Sequence, residues 1–417
     1  MSKSKKDGAK EYEGLIETLL DQVKRLPGPI RRKVETELKE LLQLVRDRRP
    51  PRFMLVGRRG AGKSTLVNAI FGAPVREVGS VSAQTGKAPW LEYERDGKAL
   101  EILDTRGVQE GSKPTEADTA TGALSSLKDS IRERCPDIIL FLIKAKEVDA
   151  AVGGDIAALE ELHAFIEQTH KRRVPIVGVV TQCDELDPPY IRMLPTSDEE
   201  KNANIAAATS LLEKHLSGSA EVGKHLVEVV PTAAFVRYRE DGTRDDKHDY
   251  RWNIEHLVGL LLDELPKEAK LDFARLAEIK RFQRQVALRV VDVCAAGCGA
   301  IGTQPIPVAD LPFITSVQAL MILAVAYISG RTLSFGAAKE FIAAAGGNVG
   351  VAFALREGVR ALLKFLPGWG NVISGGMAAF ATESIGRAAV AFYIDQKSIE
   401  EVKQKLKRKE DAAEQED

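Results

Sequence analysis

Apolar positions change their period along this chain, and each change marks a different kind of element. Over residues 11–49 they recur every three to four positions: Leu15, Ile16, Leu19, Leu20 and Val23, then Val34, Leu38, Leu41, Leu42 and Val45. That spacing lines one face of a helix, and Pro27-Gly28-Pro29 divides the stretch into two helices with charged outer faces. Pro50-Pro51 ends the pair. The pattern then becomes short uninterrupted apolar runs at 53–56, 138–143, 174–180 and 226–230. Stretches of helical period at 65–71, 156–165, 201–215 and 254–265 separate them. Such runs read as strands buried on both faces, the mark of a parallel sheet with helical crossovers. Residues 90–93 and 100–103 flank Asp96-Gly97 and predict a hairpin. Residues 75–87 are polar and rich in small side chains, and 235–252 form a charged excursion from the core. The predicted class is α/β, a doubly wound and mostly parallel sheet with ligands at the carboxyl ends of its strands.

Beyond residue 266 the pattern changes again. A charged helix is predicted over 267–287, and then charge nearly vanishes. Between Val293 and Thr382 the charged residues are Asp310, Arg331, Lys339, Glu340, Arg356, Glu357, Arg360 and Lys364. The segments 293–309, 311–330, 341–355 and 365–382 carry no charge and are rich in Gly and Ala. A helix apolar all round is buried in protein or in lipid. Segment 311–330 reaches the ~20 residues that span a bilayer, whereas Gln318 and the neighbouring prolines and glycines oppose insertion. A packed or peripherally bound helical bundle and an inserted one both stay open. Pro305, Pro307 and Pro312 break the strip, so hairpins are expected rather than one span. Residues 398–409 form a basic amphipathic helix able to meet anionic lipid or simply solvent, followed by an acidic tail at 411–417. Three domains are expected: an N-terminal helical segment at 1–50, an α/β domain at 51–266 and an all-α domain at 267–417.

The candidate chemistry lies where the apolar runs end. Gly57, Arg58, Arg59, Gly60, Ala61, Gly62, Lys63 and Ser64 fit G-x-x-x-x-G-K-[ST] between a strand and a helix that continues at Thr65. That context makes a phosphate loop. Its glycines let backbone N–H groups curl round phosphates, and the helix N-terminus favours the negative charge. Lys63 brings positive charge to β- and γ-phosphates, and Ser64 offers Mg²⁺ a hydroxyl. The second hairpin strand runs into Asp104-Thr105-Arg106-Gly107, a D-x-x-G whose Asp suits Mg²⁺ and whose Gly suits a γ-phosphate sensor. A later strand ends in Thr181-Gln182-Cys183-Asp184. One carboxylate there, Asp184, accepts from both N1–H and the exocyclic amine of guanine. Thr232, Ala233 and Ala234 follow the last strand and are small enough for a backbone N–H to reach the guanine O6.

Taken with Thr85, these motifs occur in order and resemble the five signatures of P-loop GTPases, closest to the Era/TrmE-like class and the related immunity-related GTPases. The resemblance covers about half the chain. It implies a GTP/GDP-binding, GTP-hydrolysing switch with Lys63, Arg59, Thr85 and Gly107 as catalytic residues and Ser64, Thr85 and Asp104 as Mg²⁺ ligands. Ser82 is the rival to Thr85. It also implies a homodimer or nucleotide-dependent oligomer. Three positions depart from the pattern. Gln182 stands where the base motif carries a lysine, though its stem can still pack on the base, and Thr181 can still hydrogen-bond. Val108 stands where Ras-like enzymes orient water with Gln, so turnover is expected to be slow. Gly60 replaces a potassium-binding Asn. Arg58 and Arg59 read either as plain loop charge or, for Arg59, as a group for γ-phosphate charge. The segment from Pro305 to Pro312, with Thr315–Gln318 and Met321, resembles the domain of unknown function of YcjF-like proteins.

Charge and cysteine content narrow the alternatives. A net charge of −1 gives no electrostatic case for nucleic acid. Cys135, Cys183, Cys294 and Cys298 are scattered as in a reducing cytosol. Cys294 and Cys298 sit a helical turn apart without partners for a metal site, which favours core packing. The polar start lacks a signal peptide's apolar region. The expected location is cytoplasmic, and peripheral or integral attachment at the inner face of a membrane stays open.

Overall fold

The computed structural model describes residues 3–26, 28–72, 76–80, 90–95, 98–104, 120–149, 152–239, 243–301, 311–331, 341, 375–398 and 401. The chain divides into two units, Pro50–Pro266 and Met1–Arg49 with Lys267–Asp417.

In the first unit, β1 (Arg52–Val56), β2 (Arg76–Ser80), β3 (Trp90–Arg95), β4 (Lys98–Asp104), β5 (Ile138–Lys144), β6 (Ile176–Thr181) and β7 (Leu226–Pro231) form one sheet, in the order β2-β3-β4-β1-β5-β6-β7. β1 pairs in parallel with β4 and β5, and β6 pairs in parallel with β5 and β7. β3 runs antiparallel to both β2 and β4. Residues 138–143 and 176–181 are all buried, as their unbroken apolar character requires. The helices α3 (Lys63–Phe71), α4 (Ala120–Glu133), α5 (Val152–His170), α6 (Glu199–Gly218) and α7 (Ile254–Glu264) belong to this unit. Trp90 is fully buried and its indole N–H donates to the Ser130 carbonyl at 3.0 Å, which fastens α4 to the hairpin. Beside β1 the strand order reverses, and β1, β4, β5, β6 and β7 all end on the same edge.

Two readings of this unit are revised. Part of the polar stretch 75–87 is the antiparallel edge strand β2. The charged excursion at 235–252 contains a two-stranded sheet, β8 (Val236–Tyr238) with β9 (Arg244–Asp249). Both strands lack the apolar alternation that announces a half-buried strand.

The second unit is helical: α1 (Lys3–Lys24), α2 (Gly28–Val45), α8 (Lys267–Ala277), α9 (Lys280–Ile301), α10 (Leu311–Ile328) and α11 (Gly375–Tyr393). The charged stretch 267–287 is two helices rather than one, because Glu278 adopts φ 54° and ends the first. α9 packs against α2, α10 and α11, and α1 packs against α10. Leu19, Val34, Leu38 and Leu41, on the apolar faces of α1 and α2, are buried. At Gly386 of α11 a Cβ would lie 2.5 Å from Val291 Cγ2, so the missing side chain is what lets α11 close on α9. Two interior amides are paired: Gln318 Nε2 donates to Thr382 Oγ1 and Gln283 Nε2 to the Ile328 carbonyl, each at 3.0 Å. Arg275 caps the end of α10, donating to the carbonyls of Arg331 at 2.7 Å and Gly330 at 3.2 Å. Cys294 and Cys298 are buried in α9, in keeping with a packing role.

α10 has 18 residues, a rise of about 27 Å against a hydrocarbon core of about 30 Å. Among the described residues no helix is long and apolar enough to cross a membrane, so the spanning alternative for 311–330 is corrected. The turn Asp96-Gly97, the proline segment 305–310, most of the uncharged stretches 341–355 and 365–382, nearly all of the basic segment 398–409 and the tail 411–417 lie outside the described residues.

Candidate functional site

The edge where the parallel strands end gathers most of the candidate residues. β1 delivers the loop Gly57–Gly62 directly to α3. Gly57 is required by a close approach: a Cβ there would stand 2.4 Å from the Leu142 carbonyl oxygen of β5. Gly62 adopts φ 81° and caps α3 without a side-chain hydrogen bond, leaving the first N–H groups of the helix facing outward. Ser64 is exposed in that first turn, and Ala61 is buried beneath the loop. The Lys63 ammonium folds back over the loop, donating to the carbonyls of Gly57 at 2.7 Å and Arg58 at 3.2 Å. It also lies 3.6 Å from Asp104 Oδ1 at the end of β4, and both side chains are nearly buried.

The end of β6 holds the same loop from its other side. The single Thr181 hydroxyl lies within donating distance of the carbonyls of Ala61 at 3.0 Å and Ile143 at 3.1 Å. Gln182 adopts φ 59°, and its Nε2 donates to the Gly60 carbonyl at 3.0 Å. The two residues that depart from the usual base motif therefore brace the phosphate loop. Asp184 follows at 1% exposure, and its Oδ2 accepts from Arg192 Nη2 at 2.6 Å. Arg192 also lies over the Tyr250 ring, 4.9 Å from its centroid. Lys201 of α6 is fully buried and its ammonium donates to the carbonyls of Asp184 at 2.9 Å, Leu186 and Pro188. Burial holds the Lys201 pKa down, partly offset by Asp184. Burial likewise pushes the Cys183 thiol up to about 12, which makes it inert.

After β7, the Thr232 N–H donates to the Val180 carbonyl at 2.7 Å and the Ala233 N–H to the Trp252 carbonyl at 3.2 Å. Those two amides are engaged, which leaves Ala234 as the better donor for a base oxygen. The two loop arginines differ. Arg58 Nε donates to Asp155 at 2.9 Å, a carboxyl whose pKa burial raises while Arg58 opposes the shift. Arg59 is exposed. Thr85, its rival Ser82, Gly107 and Val108 lie outside the described residues. Arg192 and Lys201 escaped the sequence reading. Neither belongs to a motif, and a buried lysine on a helix has no periodic signature.

The donor set fits Mg²⁺ and a nucleotide. Asp104 Oδ1 is buried at the end of β4, 3.6 Å from the Lys63 ammonium, and β4 pairs with β1, which leads through the phosphate loop to Ser64. A hard cation takes such oxygens.

Comparison with known proteins finds relatives of the unit that holds this loop. Residues 52–182 match the family model described as 50S ribosome-binding GTPase. The GTPase Der of Nitratidesulfovibrio vulgaris is 29% identical over 188 residues, covering 45% of this chain and 35% of Der. Der of Neisseria meningitidis serogroup B is 32% identical over 127 residues, covering 30% of this chain and 26% of that one. The chain thus spans about a third of the length of these curated relatives. Among solved structures, Era in complex with MgGDPNP and a piece of 16S ribosomal RNA aligns at 20% identity and TM-score 0.31, covering 63% of this chain and 70% of Era. Toc33 from Arabidopsis thaliana aligns at 15% and 0.33, covering 60% of this chain and 95% of Toc33. The sheet order, the phosphate loop and the family match define a P-loop GTPase fold. Within that class, residues 52–182 match the 50S ribosome-binding GTPase model, and the chain is similar in sequence to GTPase Der.

Proposed function

We propose that the protein binds GTP with Mg²⁺ and hydrolyses it slowly, as a switch whose state is read out by the helical unit. The observation that carries this is the convergence of Lys63, Asp104 and the Thr181–Gln182 brace on one phosphate loop. Lys63 meets the β- and γ-phosphates, the amides at the start of α3 take the remaining charge, and Asp184 with Ala234 reads guanine. Ser64 and Asp104, with Thr85, would hold Mg²⁺, which neutralises phosphate charge. A water oxygen bonds to the γ-phosphorus, and the bond to the bridging oxygen breaks, yielding GDP and phosphate. Gly107 reports the γ-phosphate. Arg59 stabilises the developing charge, in one chain or across a dimer.

The uncharged helices and the YcjF-like segment support a partner or an anionic membrane surface as the target of the switch. The net charge gives no support to an RNA target of the kind in the Era complex. The second reading, a nucleotide-controlled assembly module with negligible hydrolysis, draws on Val108, which cannot orient water.

The test is calorimetry of full-length protein with GTP, ATP and xanthosine triphosphate. Lys63→Ala should lower GTP affinity, and Asp184→Asn should exchange the preference for GTP for one for xanthosine triphosphate. Equal binding of ATP and GTP by the natural protein overturns the assignment. Turnover at or below the buffer rate, with binding intact, leaves the assembly reading. Liposome flotation of the GTP- and GDP-loaded forms tests the membrane target.

A further inference from the structure

Three metal-ligating side chains meet away from the nucleotide site. His163 and Glu167 stand one turn apart on α5, and His225 lies in the connection between α6 and β7. One ligand atom from each lies within 4.8 Å of the others. The two imidazole rings stack with centroids 4.2 Å apart and planes 29° from parallel. Val174 lies two residues before β6 and His225 directly precedes β7, so the cluster sits at the amino ends of these strands. The phosphate loop sits at the carboxyl ends.

We propose that His163, Glu167 and His225 bind a divalent transition metal, zinc being the best fit, with a fourth position left for water. Several features prepare the three groups. The i, i+4 spacing puts His163 and Glu167 on one face of α5. His163 is 2% exposed and its Nε2–H donates to the Val174 carbonyl at 3.0 Å. A ring that donates from Nε2 keeps its lone pair at Nδ1 when neutral, and a backbone carbonyl on the far nitrogen is the usual orienting partner of a metal-bound histidine. The carboxylate of Glu167 has the ion-pair partner Arg173 at 3.6 Å, but that arginine side chain is 81% exposed and is a weak competitor.

The donor set selects the ion. Two imidazoles and one carboxylate suit zinc, whereas Mg²⁺ and Ca²⁺ prefer oxygens alone. Tetrahedral bonds of about 2.0–2.2 Å bring ligand atoms to roughly 3.3 Å from one another. Reaching that separation from within 4.8 Å needs a rotation of Glu167 and a swing of the His225 ring out of the stack, so that both ring planes meet at the ion. The His225 carbonyl already accepts from Ile176 N–H at 2.8 Å. A metal would therefore clip α5 to the first rung between β6 and β7.

The test uses full-length protein stripped with chelator, returned to metal-free buffer and held in excess Mg²⁺ and GDP so that the nucleotide site does not compete. Titration with Co²⁺ should give one equivalent of tight binding with the strong visible absorption of a tetrahedral ion, and Zn²⁺ should displace it. Zn²⁺ at a hundred times its dissociation constant should raise Tm by roughly 5–10 °C. Glu167→Gln and His225→Ala should each weaken binding at least ~100-fold. Glu167 is only partly buried, so its variant should fold, and circular dichroism checks both. If the natural protein takes up no Co²⁺ at equimolar concentration, or if either folded variant binds as well as the natural chain, the three residues are a stacked structural pair and the site does not exist.

Discussion

Thr181 carries two jobs with one hydroxyl. Its Oγ1 lies within donating distance of the Ala61 carbonyl in the phosphate loop and of the Ile143 carbonyl at the end of β5. Thr181→Val keeps the shape and removes the donor, leaving two buried carbonyls less well satisfied. We expect a loss of about 1–3 kcal/mol in denaturant unfolding, together with weaker nucleotide binding because the loop is no longer braced. Arg59 makes the contrasting case. It is exposed, so Arg59→Ala should leave stability within about 0.5 kcal/mol. If Arg59 meets γ-phosphate charge, the same change should cut GTP turnover by ~10³ or more. Single-turnover assays across a range of protein concentration check this, and an unchanged rate assigns Arg59 to plain loop charge. At this scale the sequence was most legible where function is local. Gly57 through Ser64 are neighbours in the chain, so the motif could be read from the row of letters. The Asp184–Arg192 pair and the Lys201 anchor could not, because nothing in their spacing announces that the chain folds back there.

Among the helices, Glu40 on α2 joins α2 to α8 and α9. Its carboxylate accepts from Arg289 at 2.7 Å and lies 3.1 Å from Lys267. The Arg289 hydrogen bond is the chief reason its pKa lies below the ordinary 4.5. A depressed folded pKa means that the unfolded chain binds the proton more readily. The contribution is therefore present above about pH 4.5 and is lost as pH falls through the lower folded value. Arg289 is 60% exposed, and solvent screening keeps the contribution to a few tenths up to about 1 kcal/mol. Glu40→Gln should cost that much at pH 7 and progressively less as pH falls below 4.5, measured by urea unfolding across that range. Element boundaries followed from pattern wherever the pattern was strong, as in β5, β6, α2 and α6. The breaks at β2 and at Glu278 went unread because an edge strand has no buried face to repeat, and one residue in the left-handed region leaves the apolar period intact.

For the whole molecule, Met1–Arg49 groups with Lys267–Asp417 across the entire α/β unit in sequence. Val34, Leu38 and Leu41 are buried on α2, which packs against α9. A fragment of residues 267–417 alone should thus expose the face that α1 and α2 cover, and should aggregate or bind hydrophobic dye. Co-expression with residues 1–49 should return it to a soluble, cooperatively unfolding form. A fragment that is monomeric and folds equally well without them contradicts this. Sequence by itself determined the class of fold, the phosphate loop, the motif order and the sites of the buried strands. Those depend on short-range spacing and on the period with which a strand or helix must bury its apolar side. Only the tertiary structure decided that Thr181 and Gln182 brace a loop some 120 residues earlier, that Arg192 holds Asp184, and that His225 meets His163. These are pairings between groups far apart in the chain, and such a pair is fixed by where the backbone returns, which no local period records.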